Sequence, residues 1–169
     1  MKINIVMVEP EIPQNTGNIA RTCAATGAKL HLVKPLGFEI SDKYLKRAGL
    51  DYWDKLEIEE HVSLNKFLEK YKPEENNMYF VTTKGKQCYS SIDYSKMTDI
   101  FILFGKETKG LPEELLKKYI ENTIRIPMKQ NLRSLNLSNS VSIVAYEILR
   151  QNDFNDLEEI SNYFTKNGS

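Results

Sequence analysis

Short apolar runs rich in β-branched residues alternate along this chain with segments whose apolar residues recur at helical spacing. The runs at residues 2–8 and 100–104 are the most apolar, and each is far shorter than the roughly 20 residues that span a bilayer. Continuous apolar runs of this length are typical of strands buried on both faces. The alternation therefore predicts an α/β fold, with a mostly parallel sheet and helices on both of its faces.

The remaining elements follow from capping residues, glycines and prolines. Further strands are predicted at residues 29–34, 78–82 and 123–127, with one weakly patterned strand within 51–62. Predicted helices include one from about Ile19 to Gly27, a basic helix at 41–49, one capped by Ser63, one opened by Pro112 as its first residue, one from Val141 to Gln151, and a terminal helix or arm at 156–164.

Length and composition predict one globular domain spanning residues 1–169. The chain is 41% hydrophobic and 27% charged, which excludes both a disordered chain and a membrane-embedded one. The apolar run after Met1 and Lys2 is too short for a secretion signal. We therefore expect a soluble, cytoplasmic protein without membrane contact.

The charge balance and the cysteines exclude other classes. With 23 basic and 23 acidic residues, the chain has no overall field that attracts nucleic acid, so any such binding would depend on local patches. Cys23 and Cys88 form no CxxC motif, and His31 and His61 are the only other soft ligands. We predict reduced thiols, a core position for Cys23, and no metal site.

Four loops rich in polar groups follow predicted strands. They cover residues 9–21, 82–86, 105–112 and 127–139. Because the carboxyl ends of parallel strands meet at one edge of a sheet, and ligands bind there, these loops are predicted to form one site.

The last of these loops leads into a helix and carries six polar side chains within eight positions, from Arg133 to Ser140. Ser138 or Asn139 is predicted to cap the helix.

Common nucleotide-binding and hydrolytic motifs are absent from the sequence. Gly105 and Gly110 have the spacing of P-loop glycines, but Leu111 and Pro112 replace the lysine and hydroxyl that such a loop needs. No nucleophile elbow is present, and neither histidine lies near the polar loops. The arginine, amides and hydroxyls that remain suit binding and orienting better than acid–base work.

Three blocks of sequence carry a family resemblance: NTGNIAR at 15–21, FGKETKGLP at 104–112, and IPM at 126–128 with RSLNLSN at 133–139. Together and in this order they resemble the motifs of the SPOUT-class RNA methyltransferases. The match covers residues 2–151 and is nearest to the TrmL-type tRNA ribose methyltransferases. The opening VEPEIPQNTGNIARTCAATGAKLHLVKPLGF and the later RAGLDYW support that narrower similarity.

This resemblance implies an α/β trefoil-knot fold with a core at residues 2–151, a C-terminal helical arm at 152–169, and a homodimer. It also implies S-adenosylmethionine as the methyl donor. The implied cofactor-binding residues are Val81, Thr82, Gly105, Glu107, Gly110, Ile126, Met128, Ser134 and Leu135.

The implied reaction is methyl transfer to the ribose 2′-hydroxyl of the wobble nucleotide, position 34, in the tRNA anticodon loop. Arg21 matches the arginine of the first motif. A guanidinium stays protonated at ordinary pH, so we expect Arg21 to orient the hydroxyl or a phosphate rather than to act as a base. The other implied catalytic residues are Asn15, Glu107, Ser134 and Asn136.

Basic side chains near the loops are predicted to contact RNA. The predicted RNA-binding residues are Arg21, Lys84, Lys106, Lys109 and Arg133, with Lys86 and Lys129 nearby and a second cluster at Lys43, Lys46 and Arg47. Lys106 stands where the family more often has an uncharged residue. Two alternatives stay open: ribose methylation at another tRNA or rRNA position, and an RNA-binding module without catalysis. The sequence also leaves open the tRNA isoacceptor, the wobble base, the general base and the role of the arm.

Overall fold

A seven-stranded sheet forms the centre of the protein. The computed structural model describes residues 1–40, 55–154 and 157–166. The strands are β1 (Lys2–Val8), β2 (Lys29–Val33), β3 (Ile58–His61), β4 (Asn77–Val81), β5 (Gln87–Cys88), β6 (Asp99–Phe104) and β7 (Thr123–Arg125). Their order is β3-β2-β1-β6-β4-β7-β5, and every neighbouring pair is parallel. The predicted parallel sheet is confirmed.

Five helices lie among the described residues. They are α1 (Pro13–Thr26), α2 (Leu64–Lys70), α3 (Glu113–Lys118), α4 (Leu137–Gln151) and α5 (Tyr163–Lys166). None of them is long and apolar enough to cross a membrane. The Ser63 cap is confirmed, because its hydroxyl accepts a hydrogen bond from the Lys66 amide at 3.2 Å. The predicted basic helix at 41–49 and the RAGLDYW segment at 47–53 lie outside the described residues.

Helices pack on both faces of the sheet. Alternate residues of β1 point to opposite sides, so Ile5 and Met7 enter one apolar cluster while Val6 enters the other. The first cluster contains Ile19 and Cys23 of α1 and the buried face of α4. The second contains the apolar residues of α2 and α3. Cys23 is a core residue, as predicted.

The first helix is longer than predicted. It begins at Pro13, not near Ile19, so nine of the thirteen residues of the predicted loop at 9–21 are helical. The apolar spacing hides this turn because Asn15 and Thr16 are polar yet buried. Proline at the start of a helix lacks only an amide that would be unpaired there anyway. The predicted stop is confirmed, since Gly27 takes the left-handed conformation with φ 73°.

The cap of α4 was predicted wrongly. Asn136, and not Ser138 or Asn139, is the N-cap residue. Its Oδ1 accepts hydrogen bonds from the amides of Ser138 at 2.9 Å and Asn139 at 3.3 Å. A side chain at the N-cap reaches the second and third amides of the helix. The amphipathic pattern placed the helix start too late.

Other boundaries differ by less. The short β5 was not predicted, and Pro112 precedes α3 as its N-cap instead of opening it. The terminal helix covers only Tyr163–Lys166, so the helical spacing of Leu157 and Ile160 does not correspond to a helix. Ile160, Tyr163 and Phe164 are largely exposed, so their periodicity is not supported by the packing that stabilises most helices in proteins.

The strand β7 lies between β4 and β5, although both precede it in the chain. The turn after β4 is held against β7, because the Thr82 amide donates to the Ile124 carbonyl at 3.0 Å. A Cβ on Gly85 would lie 2.4 Å from the Ile124 carbonyl carbon. This close backbone approach explains why glycine occupies position 85.

Candidate functional site

A cleft of about 480 Å³ opens at the carboxyl edge of the sheet. The loops after β1, β4, β6 and β7 line it. The cleft includes residues that follow both β1 and β6, adjacent strands from which the chain leads in opposite directions, toward β2 and toward β7. Such a reversal of direction is where open α/β sheets bind ligands. The predicted convergence of the four loops is confirmed.

Every residue predicted to bind the cofactor lines this cleft. These are Val81, Thr82, Gly105, Glu107, Gly110, Ile126, Met128, Ser134 and Leu135. Sequence reasoning missed several apolar neighbours that complete the wall, namely Ile12, Phe104, Leu111, Leu116 and Leu137. They carry no chemical signal of their own, because an apolar residue beside a loop is indistinguishable from a core residue in the sequence.

The second motif forms a tight loop that closes on itself. The Gly110 amide donates to the Lys106 carbonyl at 2.8 Å, and Gly110 has φ 70°. A Cβ on Gly105 would lie 2.0 Å from the Gly110 carbonyl carbon. Only glycine fits at position 105, because a side chain there would collide with the backbone of the same loop.

Glu107 ties this loop to the start of α1. Its Oε2 accepts from the Glu11 amide at 2.8 Å, and its Oε1 accepts from the Ile12 amide at 3.1 Å and from Asn15 Nδ2 at 3.2 Å. The N-cap residue of α1, Ile12, provides no side-chain cap, so the Glu107 carboxylate supplies one from elsewhere in the chain. A negative charge at a helix N-terminus is also favoured by the helix dipole. Both oxygens are engaged, which gives Glu107 a positioning role.

The contact is reciprocal. The Glu11 carboxylate accepts from the Thr108 amide at 3.1 Å and from its hydroxyl at 2.8 Å. Lys106 forms an ion pair with Glu9. Two adjacent loops are thus fastened along their length, with charge-assisted bonds in both directions.

One chain of hydrogen bonds joins all three motifs. From Glu107 it runs through Asn15, whose Oδ1 accepts from Asn136 Nδ2 at 3.0 Å. Asn136 then caps α4 through its Oδ1. The predicted division of labour, with capping by Ser138 or Asn139 and ligand contact by Asn136, is wrong in this respect. Asn136 lines the cleft and caps the helix at once.

Arg21 is separated from the other predicted catalytic residues. Asn15, Glu107, Ser134 and Asn136 line the cleft, whereas Arg21 does not. It lies on the exposed side of α1, downstream of Asn15. Of the predicted RNA-binding residues, Lys84, Lys106 and Lys109 line the cleft and Arg133 lies next to Ser134 in its wall.

A second polar cluster lies away from the cleft, on the face covered by α2. His31 Nδ1 is 3.0 Å from His61 Nε2, and His31 Nε2 is 3.1 Å from Asn4 Oδ1. Because Asn4 donates its amide to the Ile100 carbonyl, its oxygen accepts from His31, and the Nδ1 of a neutral His31 accepts from His61. Sequence reasoning did not foresee this contact between two strands.

The Glu59 carboxylate completes that cluster. Its Oε1 is 3.5 Å from His61 Nε2, and it also binds Lys29, Lys70 and the Tyr71 hydroxyl. His31, Glu59 and His61 could offer ligand atoms to a metal ion. However, the histidine nitrogens bind each other, and the ammonium groups of two lysines bind the carboxylate. Burial lowers the pKa of His31 to about 3, with Lys29 adding to the effect.

The sequence profile of the SpoU rRNA methylase family matches residues 2–146. The chain belongs to this family. A tRNA (cytidine(34)-2′-O)-methyltransferase of Yersinia pestis is 48% identical over 153 residues, which are 88% of this chain and 93% of that protein.

Solved structures of SpoU-type proteins have the same fold. A structure determined for the 2′-OH methylation of C/U34 on tRNA has a TM-score of 0.82 and 43% identity, covering 89% of this chain and 95% of that one. An AdoMet-bound rRNA methyltransferase from Sinorhizobium meliloti has a TM-score of 0.78 and 26% identity, covering 88% of this chain and 56% of that one. The SpoU family has the trefoil-knot fold that the resemblance implied.

Proposed function

We propose that this SpoU-family chain transfers a methyl group from S-adenosylmethionine to the ribose 2′-hydroxyl of nucleotide 34, a cytidine or uridine, in tRNA. One observation carries the proposal: all nine predicted donor-binding residues line a single cleft, and hydrogen bonds join that cleft to the first motif. The name of the Yersinia pestis relative and the structure concerned with C/U34 support the same substrate.

The cleft suits the donor in size and chemistry. Its volume of about 480 Å³ falls in the usual range for sites that bind small molecules. Val81, Ile126 and Met128 offer apolar surface for a planar base, while the loop at 105–110 presents backbone groups and Ser134 a hydroxyl. These residues would hold S-adenosylmethionine, which supplies an electrophilic methyl group on a sulfonium.

The residues of the chain orient the reaction. When bound in the cleft, S-adenosylmethionine would supply the methyl group that the ribose oxygen takes up in exchange for its proton. We assign Arg21 to the acceptor side, where its permanent charge favours the developing oxyanion or holds a neighbouring phosphate. Glu107, Asn15 and Asn136 fix the start of α1 relative to the donor cleft.

A homodimer belongs to this proposal. Arg21 does not line the cleft of its own chain, so a second copy provides a route for it to reach a donor site. Exposed apolar side chains offer surface for such an interface: Tyr146 on α4, and Ile160, Tyr163 and Phe164 in the arm. We also propose a cytoplasmic location, because tRNA is available there as a substrate.

The test is incubation of the protein with unmodified bulk tRNA and S-adenosylmethionine labelled in its methyl group, followed by mapping of the labelled nucleotide. Label on the 2′-oxygen of nucleotide 34 supports the proposal. Label at another position would support the alternative of a different tRNA site, and label only on ribosomal RNA would overturn the tRNA substrate. RNA binding without transfer would identify a module that has lost catalysis.

A further inference from the structure

The basic side chains around the cleft divide into two groups by their contacts. Three of them are held in ion pairs with glutamates on neighbouring elements. These pairs are Lys84 with Glu113, Lys86 with Glu121 and Lys106 with Glu9. A phosphate could recruit one of these lysines only by competing with a carboxylate that already neutralises it.

The second group consists of Lys109, Lys129 and Arg133. None of these three has an ion pair within the part of the chain that the structure describes, and all three are exposed. Lys109 lines the cleft in the loop after β6, and the other two lie in the loop after β7. Their charge therefore remains available to an anionic partner.

An exposed apolar side chain lies between the last two cations. Leu132 is 66% exposed, next to Arg133 and three residues after Lys129. The chain then continues directly into the cleft wall at Ser134 and Leu135. An apolar surface flanked by unpaired cations, beside a methyl-donor cleft, matches an unpaired nucleotide, which has an apolar base face and flanking phosphates.

We infer that Lys109, Lys129 and Arg133 bind the phosphates of the unpaired RNA strand that carries the acceptor ribose, and that Leu132 packs against one of its bases. Lys84, Lys86 and Lys106 stay paired with their glutamates and do not take part in RNA binding. This inference rests on the proposed function, because it assumes a single-stranded RNA acceptor. A protein partner fits less well, since protein interfaces are depleted in lysine at their centres.

This division of the cations predicts that the two groups contribute differently to the salt dependence of RNA affinity. Each phosphate contact to a single strand contributes about 0.7 to the slope of log affinity against log salt. The triple variant Lys109→Gln, Lys129→Gln, Arg133→Gln should therefore lose about 2 from that slope. Lys86→Gln and Lys129→Gln form a matched pair, because both lysines are exposed and neither lines the cleft. Lys129→Gln should reduce the magnitude of the salt slope by about 0.7, whereas Lys86→Gln should leave the slope unchanged.

The experiment measures the Kd of the protein for an RNA hairpin carrying the anticodon loop, at several potassium chloride concentrations. Leu132→Ala should weaken binding several-fold with an unchanged slope. Equal slopes for Lys86→Gln and Lys129→Gln, or an unchanged slope for the triple variant, would overturn the inference. A Leu132→Ala effect on the sedimentation coefficient in place of RNA affinity would assign this surface to a protein contact.

Failure of this inference is distinguishable from failure of the proposed function. If wild-type protein methylates nucleotide 34 while the slopes do not separate, the activity stands and the assigned surface is wrong. If wild-type protein does not bind the hairpin at any salt concentration, both are wrong. Thermal melting of each variant is the control: a melting temperature equal to that of the wild type excludes misfolding as the cause of a smaller salt slope.

Discussion

The side-chain amide of Asn136 donates a hydrogen bond to Asn15 Oδ1 at 3.0 Å, across 121 positions of sequence. Asn136 also caps α4, and Asn15 also donates to Glu107. A single asparagine thus fixes the start of one helix against the side of another. Because both helices begin at the donor cleft, movement of either one would change the geometry of the other.

Replacing Asn136 by Asp separates these two roles. Aspartate keeps the oxygen that caps α4 but loses the amide that donates to Asn15, so we expect a melting temperature close to that of the wild type. Methyl transfer should fall by about 10-fold or more, which corresponds to the misplacement of a reacting group. Donor affinity, measured by calorimetry, should change much less than kcat.

Asn136→Ala is the control, because it removes the cap as well and should cost about 1 kcal/mol of unfolding free energy. A double-mutant cycle with Asn15→Ala should give a coupling energy of about 1 kcal/mol. Wild-type turnover by Asn136→Asp would show that the bond to Asn15 has no role in positioning.

Glu107→Gln tests the cap that the second motif provides for α1. The amide keeps one acceptor but loses the charge that two backbone amides and Asn15 share. We expect a loss of about 1–2 kcal/mol in the free energy of unfolding, measured by urea denaturation. Glu75→Gln is a suitable comparison, because that side chain pairs with Lys72 at the surface, outside the helix before it, and its loss should not measurably change stability. Equal stability of both variants would contradict the cap.

Gly27, Gly85 and Gly105 should tolerate a methyl group very differently. A Cβ at Gly85 would lie 2.4 Å from Ile124 backbone, and one at Gly105 would lie 2.0 Å from Gly110 backbone, so alanine at either position should prevent folding or greatly reduce soluble yield. Gly27→Ala meets no atom within 4 Å and is strained only by φ 73°. It should cost about 1 kcal/mol, as measured by thermal melting. Normal stability of Gly85→Ala would show that the turn can move away from β7.

Much of this architecture could be predicted from local chemistry. Apolar runs identified β1 and β6, and glycine and serine marked the end of α1 and the start of α2. The start of α1 could not be predicted in this way, since the polar residue Asn15 is buried for reasons that depend on distant residues. Asn15 is buried because Glu107 and Asn136 bind it, and those contacts span 92 and 121 positions.

The sequence identified which residues form the site more accurately than it identified the role of each residue. Family motifs identified Asn136 and Glu107, but only the fold shows that one caps α4 and the other caps α1. The contact between His31 and His61 had no signal at all, because each histidine looks like an isolated residue until β2 and β3 are paired. Ion pairs such as that of Lys106 with Glu9 are equally invisible before the loops are brought together.

The buried histidines should make stability depend on pH. Burial lowers the pKa of His31 from 6.5 to about 3, with Lys29 and Lys2 opposing its charged form and Glu59 favouring it, and burial also lowers the pKa of His61. The unfolded chain therefore binds more protons than the folded one below about pH 6.5. The free energy of unfolding should be highest above that pH and should fall by up to about 1.4 kcal/mol per pH unit for each histidine as pH decreases.

Urea denaturation at a series of pH values between 7.5 and 5 measures this slope. In that window the histidines dominate, because Glu59, whose folded pKa is also depressed, releases its stabilisation only near and below the usual glutamate pKa of 4.5. His31→Gln keeps a polar group beside Asn4 but cannot titrate, so its slope should be shallower than that of the wild type. If the slope of His31→Gln equals that of the wild type, other groups take up the protons on unfolding. His31 would then already be protonated in the folded protein.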